Sequence, residues 1–152
     1  MFEGLKRLFG NPAHALQAAA LPWREGKDGI EILLVTSRGT GRWVLPKGWP
    51  KRREFPHEAA AREAAEEAGL SGEVSPHEAG RYIYDKAKSD GSDRRCEVLV
   101  YPIRVVELAS EWAEMGQRER RWMSPKEAAA SVAEPDLASL LANFNGRVRS
   151  AA

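Results

Sequence analysis

A proline and a glycine mark the ends of one short helix in this chain, and what lies between them restricts the rest. In GWPKRREFPHEAAAREAAEEAGL, residues 48–70, Pro56 stands where a first helical turn has no use for an N–H. Gly69 stands just past the end, where a left-handed residue closes the helix. At about 100° per residue, Glu63, Glu66 and Glu67 then share one face. Like charges on one stripe repel and require a positive partner. Flanking arginine would serve, and Glu58, Arg62 and Glu66 at successive i, i+4 spacings describe an ordinary solvated face laced with ion pairs. The alternative is a bound divalent cation, for which an all-oxygen carboxylate set suits Mg²⁺, with Mn²⁺ second, better than zinc.

Strands surround this helix. Residues 14–24 read as a first strand weakened by its alanines, and the turn cluster Glu25–Gly29 leads into the clearest strand, IEILLVT at 30–36. A small-residue loop carrying Arg38 and Arg42 precedes the short strand at 43–46 and delivers the chain to Lys47 and Gly48. With Lys51, Arg52 and Arg53, these cations form a basic rim at the entrance to the acidic helix. Cations for outer phosphates beside carboxylates for a metal on the scissile ones is what a polyphosphate substrate requires. After the helix, Ser71-Gly72 reads as a turn, RYIYDKA as a half-exposed strand, and 86–95 as a hairpin loop whose Lys86, Lys88, Arg94 and Arg95 are further candidates for substrate contact. CEVLVYPIRVVEL at 96–108 is apolar on both faces at its start and reads as central. Trp122-Met123 reads as a last strand. Ser124, Pro125 and Glu127 spell a capped helix, and Leu137, Leu140, Leu141 and Phe144 a second with an apolar face.

Gly48, Glu54, Arg62-Glu63, Glu66-Glu67 and Gly69 together resemble the signature of the Nudix hydrolase family, with Ala64 where a larger aliphatic residue is usual. Over roughly residues 30 to 130, the lead-in TSRGTGRWVLPKG and the segment EWAEMGQRERRWMSPKEA resemble the diphosphoinositol polyphosphate phosphohydrolase and diadenosine polyphosphate hydrolase branch. Two positions depart from it: Lys47 replaces a second glycine, and Phe55 precedes Pro56 where a Ser or Thr cap is common. The resemblance implies an α/β fold, a Nudix-type α/β/α sandwich with a mixed central sheet. It further implies that Glu66 and Glu67 bind the divalent cation with the Gly48 carbonyl, and that Glu63 binds metal or serves as base for the attacking water. Arg62 would orient the carboxylates and Glu54 would tie loop to helix. Arg38, Arg42 and Lys47 are the candidate substrate contacts, and Glu114 and Glu119 are equal candidates for a further carboxylate.

Size and charge narrow the rest. At 152 residues the chain fits a single domain over 1–152, with 1–12 as an N-terminal arm and 146–152 as a flexible tail. A balance of 23 basic and 22 acidic residues provides no general steering toward nucleic acid or membrane, so the expected partner is a small polyphosphate, bound by a monomer or homodimer. The single cysteine, Cys96, excludes an internal disulfide, fits a cytoplasmic chain, and sits in a strand-like setting without a thiolate-stabilising partner. The first twenty residues contain no continuous apolar run of signal-peptide length, and no run is long enough to span a bilayer. The reading is hydrolysis of a diphosphate linkage in a diadenosine or diphosphoinositol polyphosphate. A pyrophosphatase for nucleoside triphosphates, nucleotide sugars or RNA 5′ ends is the alternative. A binding module of the same fold without catalysis is the other class, against which all three helix glutamates are present.

Overall fold

The computed structural model describes residues 15–87, 91 and 93–147. The expected N-terminal arm, Lys88, and the tail beyond Arg147 lie outside the described residues. The elements run β1 (Ala15–Gly26), β2 (Gly29–Thr36), β3 (Trp43–Val44), β4 (Lys47–Gly48), α1 (Pro56–Ala68), β5 (Leu70–Val74), β6 (Gly80–Ala87), β7 (Asp93–Leu108), β8 (Arg120–Met123), α2 (Pro125–Ser131) and α3 (Pro135–Ala142). The sheet has the order β3-β2-β1-β7-β5, with β4 beside β1, β6 beside β7 and β8 beside β2. It is mixed, as expected. β1 and β7 run parallel from Ala15 opposite Cys96 to Trp23 opposite Arg104, and the other strand pairs are antiparallel.

Alternation along the central strands fills both faces. Ala18, Ala20, Leu33, Val35, Leu99, Tyr101 and Ile103 pack on Ala59, Ala60, Ala64 and Ala68 of α1. Their neighbours Ala19, Leu21, Trp23, Ile32, Leu34, Val98 and Val100 pack on Ala128 of α2 and Leu137 and Leu141 of α3. The result is the α/β/α sandwich. It also explains why alanine, a poor strand former, occupies β1: this strand is buried on both faces, and alanine methyls facing alanine methyls bring α1 close to the sheet.

One expected turn is a strand. Ser71 and Gly72 lie inside β5, which pairs with β7 through a register shift between these two residues. A Cβ on Gly72 would collide with the Arg104 carbonyl, so the glycine serves a close backbone approach at a bulge and not a chain reversal. The helix ends are as read. Gly69 takes φ 66 and its N–H donates to the Ala65 carbonyl at 3.1 Å. The Phe55 side chain has no acceptor to offer α1, but the Glu58 carboxylate accepts from the Phe55 N–H at 2.9 Å, half of a capping box. Both halves form at α2, where Ser124 and Glu127 exchange side-chain to backbone bonds of 3.1 and 3.3 Å.

Candidate active site

The acidic face of α1 has two differently built ends. At the first, the loop after β4 turns through Arg53 in the left-handed region, φ 69, and brings Glu54 back to Arg62. Arg62 donates to both Glu54 oxygens, at 2.8 and 2.9 Å, to Glu63 at 3.2 Å and to the Trp49 carbonyl at 3.2 Å, and lies 3.6 Å from Glu66. The two-pronged Arg62 bond holds the Glu54 carboxyl down at about 2, far below its ordinary value. Glu63 moves the other way. Its burial, joined by the nearby Glu66, raises it against the pull of Arg62.

At the second end Glu67 is buried, with 7% of its surface exposed. It accepts from the Lys47 N–H at 3.2 Å and lies 3.5 Å from Arg118. Burial pushes its carboxyl up to about 7; Arg118 opposes this, while Glu63 and Glu114 add to it. The partners arrive through the segment before β8. Trp112 Nε1 donates to the Glu67 carbonyl at 3.2 Å, and the Glu114 N–H donates to the Glu66 carbonyl at 3.1 Å. Arg120 lies over the Trp112 ring at 3.9 Å and donates to the Ala68 carbonyl at 2.7 Å. These donors satisfy carbonyls that the end of α1 would otherwise leave open. The same docking puts Arg118 between Glu67 and Glu114, which it meets at 2.8 Å, and against the Thr36 carbonyl at 3.1 Å.

β4 faces both ends. A Cβ on Gly48 would fall on the Glu63 carboxylate as it stands, so a larger residue here would push that carboxylate aside. Beside them opens a cavity of about 530 Å³ whose walls include Glu63, Glu67 and Glu114 together with Arg38, Arg42, Lys47, Lys51 and Arg118. All three expected substrate contacts therefore line the cavity that Glu63 and Glu67 line, whereas Glu66 stands off its wall. Arg42 is ion-paired to Glu134 at 2.9 Å, and Arg38 reaches Gln117 at 3.3 Å and Glu114 at 3.9 Å. Glu114 lines the cavity, whereas Glu119 is exposed and does not, its backbone being tied to Thr36. Arg52 and Arg53 also stay off this wall. Arg94 reaches it indirectly, 5.3 Å over the ring of the wall residue Trp49, while Arg95 pairs with Asp85. Cys96 is a buried strand thiol.

Among the described residues, no group of three His, Cys, Asp or Glu side chains stands close enough to hold an ion as placed. Glu63 and Glu66 turn to Arg62, and Glu67 turns to Arg118. Sequence reasoning missed Arg118 on the cavity wall, and Gln17 and Tyr84, which accept from Lys47 Nζ at 3.3 and 2.9 Å. Arg118 follows Glu114 at i, i+4, a signal obscured by the absence of a helix there. The other two carry no local signal at all.

Residues 13–144 match the NUDIX domain. The chain belongs to the NUDIX family. This NUDIX chain is 35% identical over 102 residues to Nudix hydrolase 12, mitochondrial, of Arabidopsis thaliana, a match covering 65% of the chain and 50% of that protein. It is 32% identical over 114 residues to human diphosphoinositol polyphosphate phosphohydrolase 3-beta, covering 74% of the chain and 65% of that protein. The chain thus spans about half to two thirds of the length of these relatives. A crystal structure of a C. elegans Ap4A hydrolase superposes with a TM-score of 0.60 over 85% of this chain and 94% of that one, at 21% identity, a likeness of fold. Among the described residues no helix is long and apolar enough to cross a membrane.

Proposed function

We propose that this NUDIX protein is a metal-dependent hydrolase that cleaves a diphosphate linkage in a highly phosphorylated small molecule. The observation that carries this reading is the single cavity walled by Glu63, Glu67 and Glu114 and by Arg38, Arg42 and Lys47. Diadenosine polyphosphates and diphosphoinositol polyphosphates are the substrates to test first, as the names of the relative and of the structural neighbour suggest. Mg²⁺ is the cofactor we assign, with Mn²⁺ able to replace it. Glu63, Glu66, Glu67 and the Gly48 carbonyl would hold it, an oxygen-only set in which a glycine makes room for a carboxylate. Bound there, such an ion neutralises diphosphate charge and makes a water more acidic.

The chain's own groups do the rest. Arg62 fixes Glu63 and Glu66 through its bond to Glu54 and is the positive counterpart they have before a cation arrives. Arg118 orients Glu67 and Glu114. Glu63, where it is not itself a ligand, takes the proton of the attacking water. Arg38, Arg42 and Lys47 bind the phosphates that are not cleaved. The test is product release from both substrates with Mg²⁺, beside simple nucleoside triphosphates and a Glu67→Gln variant. Cleavage of at least one of the two, poor cleavage of the triphosphates and an inactive variant are expected. No product from either substrate, or an equally active variant, would overturn the reading.

A further inference from the structure

Phe55 gives up what its position usually supplies. A Ser or Thr there would cap α1 with a side-chain oxygen, whereas Phe55 makes no such bond and stands 64% exposed. A single exposed apolar side chain needs no explanation. This one is not single: with Leu16, Pro50, Pro56 and Leu99 it walls a largely apolar cavity of about 430 Å³, between the start of β1, the middle of β7 and the loop that enters α1. A mostly apolar cavity of this size with a few polar groups at its edge has the character of a small-molecule site. Gln17 and Lys51 line both this cavity and the larger one walled by Glu63 and Glu67, so the two are neighbours across a shared partition.

The backbone that presents the ring is fixed on both sides. The Lys51 N–H donates to Glu54 Oε1 at 2.9 Å, the Glu54 N–H donates to the Lys51 carbonyl at 3.0 Å, and the Phe55 carbonyl accepts from the Glu58 and Ala59 N–H groups at 3.0 Å. The ring itself lies nearly parallel to the His57 imidazole, at 13° with centroids 5.8 Å apart. An aromatic ring held in place before a ligand arrives loses little freedom on binding. A molecule that fills an apolar cavity and a polyphosphate cavity together has a flat apolar group at one end and phosphates at the other. A nucleoside polyphosphate has that form; in an inositol polyphosphate every ring carbon bears a hydroxyl or a phosphate, and there is no aromatic face to stack. We propose that the Phe55 cavity takes the nucleobase of a nucleoside polyphosphate whose phosphate chain lies in the larger cavity, a subsite that rests on the polyphosphate reading of that cavity and selects the diadenosine over the diphosphoinositol substrate. Lys51, on the partition, is placed for the phosphate next to the nucleoside.

The experiment measures binding of diadenosine tetraphosphate and of inorganic tripolyphosphate to the full chain by calorimetry, at fixed moderate salt with a chelator present. Phe55→Ser, which returns the usual cap to α1, should weaken the diadenosine ligand about tenfold, the scale of one base stacked on one aromatic ring, and tripolyphosphate by less than about twofold. Phe55→Trp should bind the diadenosine ligand at least as tightly as wild type. Leu16→Gln, on the cavity wall but away from the cap, should weaken the diadenosine ligand alone. In turnover, Phe55→Ser should raise KM for diadenosine tetraphosphate and leave that for a diphosphoinositol polyphosphate unchanged. No binding of the diadenosine ligand by wild type, no loss in Phe55→Ser, or an equal loss for both ligands would each overturn the proposal. So would sedimentation showing that Phe55→Ser dissociates a dimer, since the ring would then be covered by a second copy. Base-dependent binding by a chain that hydrolyses neither diphosphate substrate would uphold the subsite while removing the hydrolase reading; hydrolysis with Phe55→Ser and wild type binding alike would do the reverse.

Discussion

Arg62 gathers Glu54, Glu63 and Glu66 from one continuous stretch of chain, whereas Glu67 depends on partners that arrive from β4 and from the segment before β8. The same side-chain chemistry responds in opposite directions: Glu54 is held down at about 2 and Glu67 is pushed up to about 7. Glu54 meets a two-pronged arginine at 2.8–2.9 Å, while Glu67 is buried with its arginine at 3.5 Å and other carboxylates nearby. Glu54 stores its negative charge at ease; Glu67, at the other end, stores it reluctantly and gains most from an added positive charge.

Substitution at the reluctant end has the largest expected effect. Glu67→Gln should lower diphosphate hydrolysis by about 10²–10⁴-fold, the scale of losing a proton-transfer or ligand group. Without metal it should melt no earlier than wild type, because a neutral amide removes a buried charge. An activity loss matched by early melting would break the contrast. Next come the two arginines. Arg118→Met leaves Glu67 and Glu114 facing each other with little solvent and should cost about 3 kcal/mol in urea unfolding at pH 8. Arg62→Met, at a more exposed cluster, should cost about 1 kcal/mol. Equal losses would show that the two ends are energetically alike.

Stability against pH separates them further. Glu67 binds its proton more tightly folded than unfolded, so in chelator its contribution falls as pH rises from about 4.5 to about 7. Glu54 does the reverse: it contributes fully above about 4.5 and its contribution is lost as pH falls toward 2. Chemical unfolding across pH should show Glu67→Gln flattening the upper slope and Glu54→Gln the lower one. The smallest effects concern the next carboxylate outward. Glu114→Gln should lower turnover about tenfold, while Glu119→Gln, off the cavity wall, should change it by less than about twofold. Reversed rates would exchange their roles.

The same division governs what the sequence makes legible. The ends of α1, the shared face of Glu63, Glu66 and Glu67, and the capping box of α2 follow from spacings within a single turn or two, and the structure has them. The central place of β7 follows from its apolar run. β5 is missed because a glycine accommodating a β-bulge looks, locally, like a glycine in a turn. β1 reads weakly because its alanines report what packs on it, not what it prefers. Glu114 and Glu119 are indistinguishable until Trp112 and Arg120 dock their segment on α1. Arg118, Gln17 and Tyr84 acquire meaning only across sheet pairings and loop contacts far apart in sequence.

The methyl-on-methyl seam between α1 and β1 has a consequence for how this site can change over time. Ala18 and Ala20 belong to the same core as Ala59, Ala60, Ala64 and Ala68, and each is fully buried. Apart from glycine, no residue is smaller, so the gap is near its minimum. Substitutions there can raise the helix but scarcely lower it, and because Glu63 and Glu67 travel with α1, drift along the seam runs one way, toward a wider mouth and bulkier substrates.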